Sequence, residues 1–480
     1  MSKLYVFAIG GSGSRVLRSL TMLMASGVGT SSEIVPVIID PDVSNGDRIR
    51  TEELIRLYES IRAKLSFNKS LKNRFFSTDV SSINRNGVYA TSLQGTAGIE
   101  YEKWLKLDTM SPENQALTRM LFSNANLSSS MDVGFKGNPN IGSIVLSQLT
   151  NQGGDFKTFE NNFVQGDKVF IISSIFGGTG ASGFPLLLKT FRTSSNKALT
   201  NAPIGAVSLL PYFNLKDNSK SSIKADSFIS KTKAALNYYE KNVTGNNTLD
   251  DMYYLGDDFT SKTYNNCDGG NDQQNDAHVI ELLAALSVMD FDSKPIKAPT
   301  QSRSTTFHEF GLQSPQPDEI IFSDLGNKTR DIIRRPLTQM SLLNSYLNNR
   351  DLDHRKAQRW AKDRGAILGE SLFNSEFYSN YATFKDLFGE WLSELGDNKI
   401  GFKPIKDYNN VKGDALKIVH DIEPQYSFWG IFSKTGFDLI DVKLDKNLRK
   451  IEQNLSAPQT FMELFYSTTL ELCTKKLKIN

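Results

Sequence analysis

A chain of 480 residues is long enough for two or three domains, and 39% hydrophobic with 22% charged residues places it among ordinary globular proteins rather than disordered ones. Fifty-five Lys and Arg against 53 Asp and Glu leave a formal charge of +2, so no global field argues for a nucleic-acid partner or an anionic membrane. Two cysteines, Cys267 and Cys473, make neither a disulfide framework nor a zinc site, and no apolar run approaches the ~20 residues of a membrane span, so a cytoplasmic protein is expected.

Lys3-Leu-Tyr-Val-Phe-Ala-Ile9 reads as a strand that runs into Gly10-Gly-Ser-Gly-Ser14 and then a helix from Arg15 to Met24. A strand, a glycine turn and a helix are the opening of many nucleotide-binding sheets, which makes Gly10, Gly11, Ser12 and Gly13 candidate contacts; a tight packing turn is the plainer reading. The dinucleotide fingerprint is incomplete, because Val16 stands where its third glycine belongs. Ile34 to Ile39 is a second strand, ending in Asp40-Pro-Asp42. Asp40 suits a ribose hydroxyl, and an Asp before Pro equally initiates a turn. Residues 43–130 show helical spacing over 47–67 and 98–121 between Ser/Asn-rich segments and read as an insertion. Val133 to Ser143 then carries Gly137-Asn138-Pro139-x-x-Gly142 and leads into Ile144 to Leu149.

The most telling stretch is Asp167 to Gly183, with Phe184 to Phe191 after it. A buried strand (169–175) meets a turn with glycines at 177, 178, 180 and 183, and Pro185 reads as the first turn of an apolar helix. Such a turn lets backbone N–H groups approach an anion, and the helix dipole adds to the attraction. No Gly-Lys-Ser/Thr follows, so this is not a Walker A loop. Phe176-Gly-Gly-Thr-Gly-Ala-Ser-Gly183 resembles the signature loop of the tubulin/FtsZ superfamily, and Ile9-Gly10-Gly-x-Gly13, Asp40 and the Asn-Pro loop at 137–142 are similar to that family's other loops, in the same order. The resemblance covers roughly residues 3–290 and points to a prokaryotic tubulin-like protein. It implies that Gly177, Gly178, Thr179, Gly180, Gly137 and Asn138 face phosphate, and that Gly180→Val abolishes nucleotide binding while the fold survives.

Further along, Pro203 to Leu210 and Asp251 to Leu255 read as strands, and Asp226 to Glu240 as an amphipathic helix. Strands alternating with helices argue for an α/β, doubly wound, mostly parallel sheet. Asn275 to Asp290 reads as a buried helix, and it resembles the long central helix of the family, whose first turn contacts guanine. That makes Asn275 the candidate for the base, with an N-cap role as the alternative. His278 invites a catalytic reading, against which stands a locally hydrogen-bonded histidine. In the family the next loop carries acids that reach the neighbouring subunit's nucleotide. Here residues 293–318 form a longer polar segment, Glu319 to Phe322 is strand-like, and Asp324 and Asp331 are the best catalytic candidates, although Asp324 and Asn327 equally suit helix capping. Helical patterns at 341–349, 354–370 and 381–395 follow. Strand-like runs are expected at 417–422, 428–432 and 437–443, with a terminal helix at 458–477.

The expected organisation is a nucleotide-binding domain over 1–271 with the insertion at 43–130, a central helix at 272–292, and a C-terminal α+β domain over 293–480. The resemblance implies GTP/GDP with Mg²⁺, held by no dedicated metal ligands, and self-association head to tail into filaments that hydrolyse GTP. A weakly hydrolysing scaffold or sensor, recruiting a partner protein through the insertions or the C-terminal domain, is the alternative. A Rossmann oxidoreductase has no use for two further glycine loops in this order.

Overall fold

The computed structural model describes the chain apart from residues 1, 69–70, 85–86, 88, 92, 94, 97, 132–134, 136, 151–153, 217–225, 258–261, 266–268, 297–302, 309–318, 363–367, 399–400, 408–410, 412 and 427–435. The anticipated strand at 428–432, much of the 293–318 segment, Cys267, and Val133, Gly134 and Lys136 of the Asn-Pro loop therefore lie outside the described residues. The chain divides into two compact units. One comprises Met1–Ser19, Thr30–Glu53 and Asp79–Phe310, the other Leu20–Gly29, Leu54–Thr78 and Gly311–Asn480.

The first unit is built on strands β1 (Lys3–Ile9), β2 (Glu33–Ile39), β3 (Ala90–Thr91), β4 (Lys168–Ser174), β5 (Ile204–Leu209), β7 (Asp251–Leu255) and β9 (Thr306–His308). They form one sheet in the order β3-β2-β1-β4-β5-β7-β9, and every pair is parallel. β6 (Asn214–Leu215) and β8 (Thr263–Tyr264) form a separate short pair. All seven residues of β4 are buried, which explains why the central strands read as unbroken apolar runs rather than alternating ones. Helices cover both faces. Tyr5 and Phe7, two apart on β1, pack on Phe159 at ring distances of 4.9 and 5.0 Å, while Phe170 of β4 packs on Phe291 at 5.4 Å.

Helix α1 (Gly10–Ala25) starts without a linker after β1, and α2 (Gly46–Leu65) follows β2. α3 (Pro139–Val145) has Asn138 at its N-cap position, and α4 (Gly154–Asn162) carries Phe159. The helix after β4, α5, spans Gly178–Arg192, so three of the four signature glycines are already helical and Pro185 lies inside the helix, not at its first turn. A helix tolerates this proline because its missing N–H would have served the Ala181 carbonyl, and the Tyr239 hydroxyl donates to that oxygen at 3.4 Å. Then come α6 (Asp226–Tyr239) and α7 (Val279–Ser293), the latter lying against β4, β5 and β7. Gly205 on β5 permits this approach, since a Cβ there would sit 2.7 Å from the Phe291 ring.

The second unit is mainly helical: α8 (Asn327–Asn349), α9 (Glu376–Gly396), α10 (Gly436–Leu448) and α11 (Ala457–Leu472), with a two-stranded parallel pair, β10 (Glu319–Ile320) and β11 (Gly401–Phe402). Two strand expectations fail. Residues 437–443 belong to α10, whose buried positions Ile440, Asp441, Leu444, Asn447 and Leu448 keep helical spacing over a longer window than the alternation that suggested a strand. Residues 417–422 are a turn begun by Asp414, whose side chain accepts the Leu416 N–H at 3.0 Å, and only a single bridge, Ile405 to Val419, remains. The helical pattern at 354–370 is broken into short pieces, Leu352–Ala357, Arg359–Lys362 and Glu370–Phe373.

Candidate functional site

The strand order reverses between β1 and β4, and in open parallel sheets ligands bind where that happens, beyond the carboxyl ends of the strands. A solvent-open cleft with about 930 Å³ of atom-free space lies there. Gly10, Gly11 and Ser12 of α1 line it, with Ser174, Gly177, Gly178, Thr179 and Gly180 around the start of α5. Asp40 after β2, Gly137 before α3 and Asn275 before α7 complete the expected set. Two expected residues are absent from the lining. Gly13 packs on β1, where a Cβ would fall 2.8 Å from the Ala8 carbonyl carbon, and Asn138 donates its N–H to the Phe135 carbonyl at 2.8 Å. Asp324 and Asp331 belong to the second unit and are not among the lining residues.

The glycines serve two different ends. Gly10 and Gly137 have φ of +72° and +73°, which a side chain rarely adopts. Gly178 and Gly180 instead allow close packing: a Cβ on Gly180 would sit 2.6 Å from the Ser174 carbonyl oxygen, and one on Gly178 would sit 3.0 Å from the Gly137 nitrogen. The cleft therefore gets two helix N-termini side by side, each with backbone N–H groups that the helix itself cannot use.

Behind the cleft lies an ionic network that sequence reading missed. The buried Arg15 guanidinium donates to Glu281 at 2.5 Å, Asp47 at 2.7 Å and the Tyr212 hydroxyl at 2.8 Å. Tyr212 in turn donates to Glu281 at 2.6 Å. Burial lowers the Arg15 pKa, and Glu281, Tyr212 and Asp47 outweigh this, holding it well above the usual value. One signal was legible: Glu281 is the single charge in the apolar run 279–289.

Asn275 is not the N-cap of α7. Its N–H donates to Asp47 at 3.0 Å and its side-chain amide to the other Asp47 oxygen at 3.3 Å, so only its side-chain oxygen is uncommitted among the described residues. The cap is His278, whose Nδ1 accepts the Ile280 N–H at 3.1 Å while Glu281 accepts the His278 N–H at 3.0 Å. Burial, reinforced by Arg15 and Lys262, pushes His278 down to about 3, so the imidazole is neutral. That geometry is the locally bonded reading, not the catalytic one.

Asp42, Asn45 and Gln273 also line the cleft and were not singled out from sequence. Asp42 accepts from Ser44 at 2.7 Å and from the Gly270 N–H at 2.6 Å, and Asn45 donates to Gln273 at 2.8 Å. Among the described residues the Asp40 carboxyl accepts the Asp42 N–H at 3.0 Å while the residue's carbonyl accepts from Arg48 at 3.0 Å, and burial raises the carboxyl to about 7.

No family model matches the sequence, and no curated protein matches it. Solved structures similar to the chain include CetZ from Methanosaeta thermophila strain DSM 6194, at 14% identity and a TM-score of 0.28 over 53% of this chain and 46% of that one. A GTPγS-form protofilament of TubZ from Bacillus thuringiensis serovar israelensis is similar at 13% identity and a TM-score of 0.25, over 53% and 48% of the two chains. A helical two-stranded TubZ-Bt filament gives 12%, 0.24, 53% and 46%. This chain thus spans about half the length of those structures, all prokaryotic tubulin-like proteins, and the fold assignment rests on its own sheet order and loop positions.

Proposed function

We propose that the chain binds GTP or GDP in this cleft and assembles head to tail, each subunit completing the nucleotide site of the next and promoting hydrolysis to GDP. One observation carries the reading: segments from four separate parts of the chain, at 10–12, 40, 137 and 177–180, converge on one cleft that two helix N-termini face. A dinucleotide site needs one such glycine segment, not three. The backbone N–H groups of α1 and α5 would hold phosphate oxygens, and Asn275 offers an acceptor to a base.

Mg²⁺ fits this donor set as a phosphate-bound ion. Among the described residues no group of three or more His, Cys, Asp or Glu is clustered to cage a metal. Mg²⁺ commonly takes one or two carboxylates and completes its shell with phosphates and water. The Asp40 carboxyl, with a single hydrogen bond among the described residues, and the Thr179 hydroxyl are the groups that would hold it, and it would supply neutralisation of phosphate charge. A heterologous contact that does not close gives a filament, and Asp324 or Asp331 would be the acid contributed across it.

A second reading, a weakly hydrolysing scaffold that recruits a partner protein, is favoured by two facts. Asp324 is already engaged, accepting the Ile321 N–H at 2.8 Å, and Asp331 pairs with its neighbour Arg330. The insertion helix Pro112–Leu121 also exposes Leu117, Met120 and Leu121 at 53%, 84% and 63%. The test is GTP turnover and light scattering as a function of protein concentration, with ATP as control. Turnover per subunit that rises with concentration and with scattering is expected; GTP binding with flat, negligible turnover supports the scaffold, and absence of GTP binding overturns both.

A further inference from the structure

We propose that Lys231 is the cation that this cleft presents to the phosphate chain of its ligand, an assignment that rests on the nucleotide reading above. Among the described residues the cleft is otherwise short of positive charge. Arg15 lines it, but its guanidinium is committed to Glu281, Asp47 and Tyr212. Asp40 and Asp42 add acidic groups to the same wall. A polyphosphate seated there meets helix N-termini and a phosphate-bound Mg²⁺ beside acidic side chains, and a further cation would add to its binding.

Lys231 is not itself a lining residue of the cleft, but its ammonium lies beside Gly137, which is. The lysine lies on α6 three residues after Phe228, hence on the same face. Phe228 lines the cleft and packs on Phe176 of the signature turn at a ring distance of 4.8 Å, which fixes that face of α6 against the mouth of α5. The Lys231 ammonium comes to 3.0 Å from the point a Cβ on Gly137 would occupy, and Gly137 itself abuts Gly178 at the first turn of α5. An anion at this corner would meet the ammonium and the α5 N-terminus together.

Among the described residues the lysine has no other employment. It is half-buried, and among the described residues no carboxylate or acceptor pairs with it. Burial pulls its pKa down from the ordinary lysine value. A partly desolvated ammonium without a partner is costly, and a bound anion removes that cost. Gly137 is consistent with this role: any side chain at its φ of +73° would both strain the loop and push the ammonium aside.

The experiment is calorimetric titration of the full chain and its Lys231→Met and Lys231→Arg variants with GTP and, separately, with inorganic tripolyphosphate. Losing a charge-assisted contact should weaken both ligands in Lys231→Met by roughly tenfold to a hundredfold, with Lys231→Arg restoring most of it. Equal affinities in wild type and Lys231→Met overturn the assignment and leave the nucleotide reading standing. A loss confined to GTP also overturns it, because the ammonium would then be sensing the nucleoside. Wild-type protein that binds neither ligand removes both readings. Should Lys231→Met fail to fold, acylation of wild-type lysines with and without tripolyphosphate, read by mass spectrometry, decides: Lys231 protected by the anion supports the proposal, and Lys231 labelled equally in both overturns it.

Discussion

At the scale of single residues, glycines that look alike in sequence separate by what surrounds them. Gly180 cannot be the clean probe of phosphate binding that the sequence suggested, because a side chain there drives into the Ser174 backbone rather than into the cleft. Gly180→Val should therefore destabilise the fold itself, by about 2 kcal/mol or more, and a thermal melt will show it. Gly11 is the better probe. Its Cβ would have ordinary contacts of 3.6 Å and beyond with Asn45, Gln273 and Asp47, in the cleft wall. Gly11→Ala should keep or raise the melting temperature, since alanine favours a helix by about 1 kcal/mol over glycine, while weakening GTP binding. Asp40 allows a pH test. Its folded carboxyl keeps the proton to about pH 7, whereas the unfolded chain releases it near the ordinary aspartate value of 3.8. The folded state thus binds more protons between these limits, and this group's contribution makes stability fall as pH rises through them. Asp40→Asn preserves the acceptor for the Asp42 N–H and removes that slope. Its melting temperature relative to wild type, without nucleotide, should match near pH 4, climb to pH 7 and level off; no gain at pH 8 would show that Asp40 is not held protonated.

At the scale of elements, β1, β2, β4, β5 and β7 were legible because each is an apolar run closed by Gly, Pro or Asp, and β1 has the bounds read from sequence, whereas β3 and β9, two and three residues long, carry no such pattern. Helix starts were less so. α7 begins at Val279 rather than Asn275 because the capping pair is His278 and Glu281, and histidine is an uncommon cap that composition does not announce. The network that joins α1, α2 and α7 was out of reach for a different reason. Arg15 meets Asp47 and Glu281 across 32 and 266 residues of sequence, and nothing in a local pattern pairs them. The cap supplies a prediction. His278→Asn should retain an acceptor for the Ile280 N–H and leave GTP turnover unchanged, where a catalytic histidine would lose it. It should also alter acid stability. The folded imidazole takes a proton only near pH 3, the unfolded one near 6.5, so the wild-type residue lowers stability as pH falls through that window. In His278→Asn that acid-side loss should be smaller, measured by denaturant unfolding at pH 7 and pH 4.5.

At the scale of the whole molecule, the first unit followed from the order of its loops, whereas the second unit, with few glycine or proline marks, offered only periodicity, and in Phe437 to Lys443 a seven-residue window favoured the wrong period. The candidate catalytic acids, Asp324 and Asp331, come from that less legible part, so they bear the sharpest test. If an acid acts across a subunit contact, removing its charge should slow turnover, leave GTP affinity of the lone subunit unchanged and prolong assembly. Asp324→Asn is the suitable change there, because its amide oxygen still accepts the Ile321 N–H and the local turn survives. Asp331 is exposed and, among the described residues, pairs with Arg330, so Asp331→Asn should leave the unfolding free energy within about 0.5 kcal/mol of wild type. Mixing then tests whether the site is shared. A Gly11→Val subunit that cannot hold nucleotide still carries both acids, and an Asp324→Asn or Asp331→Asn subunit holds nucleotide but offers a neutral amide. Each alone should be nearly inactive, and together they form some contacts in which one subunit brings GTP and the other the acid. Turnover recovered in the mixture, and scaling with the product of the two concentrations, supports a site completed by the neighbour. Full turnover in both single Asp→Asn variants removes these acids from the mechanism. Activity in the mixture no greater than the sum of its parts removes the shared site, and leaves a nucleotide-binding scaffold as the reading of the chain.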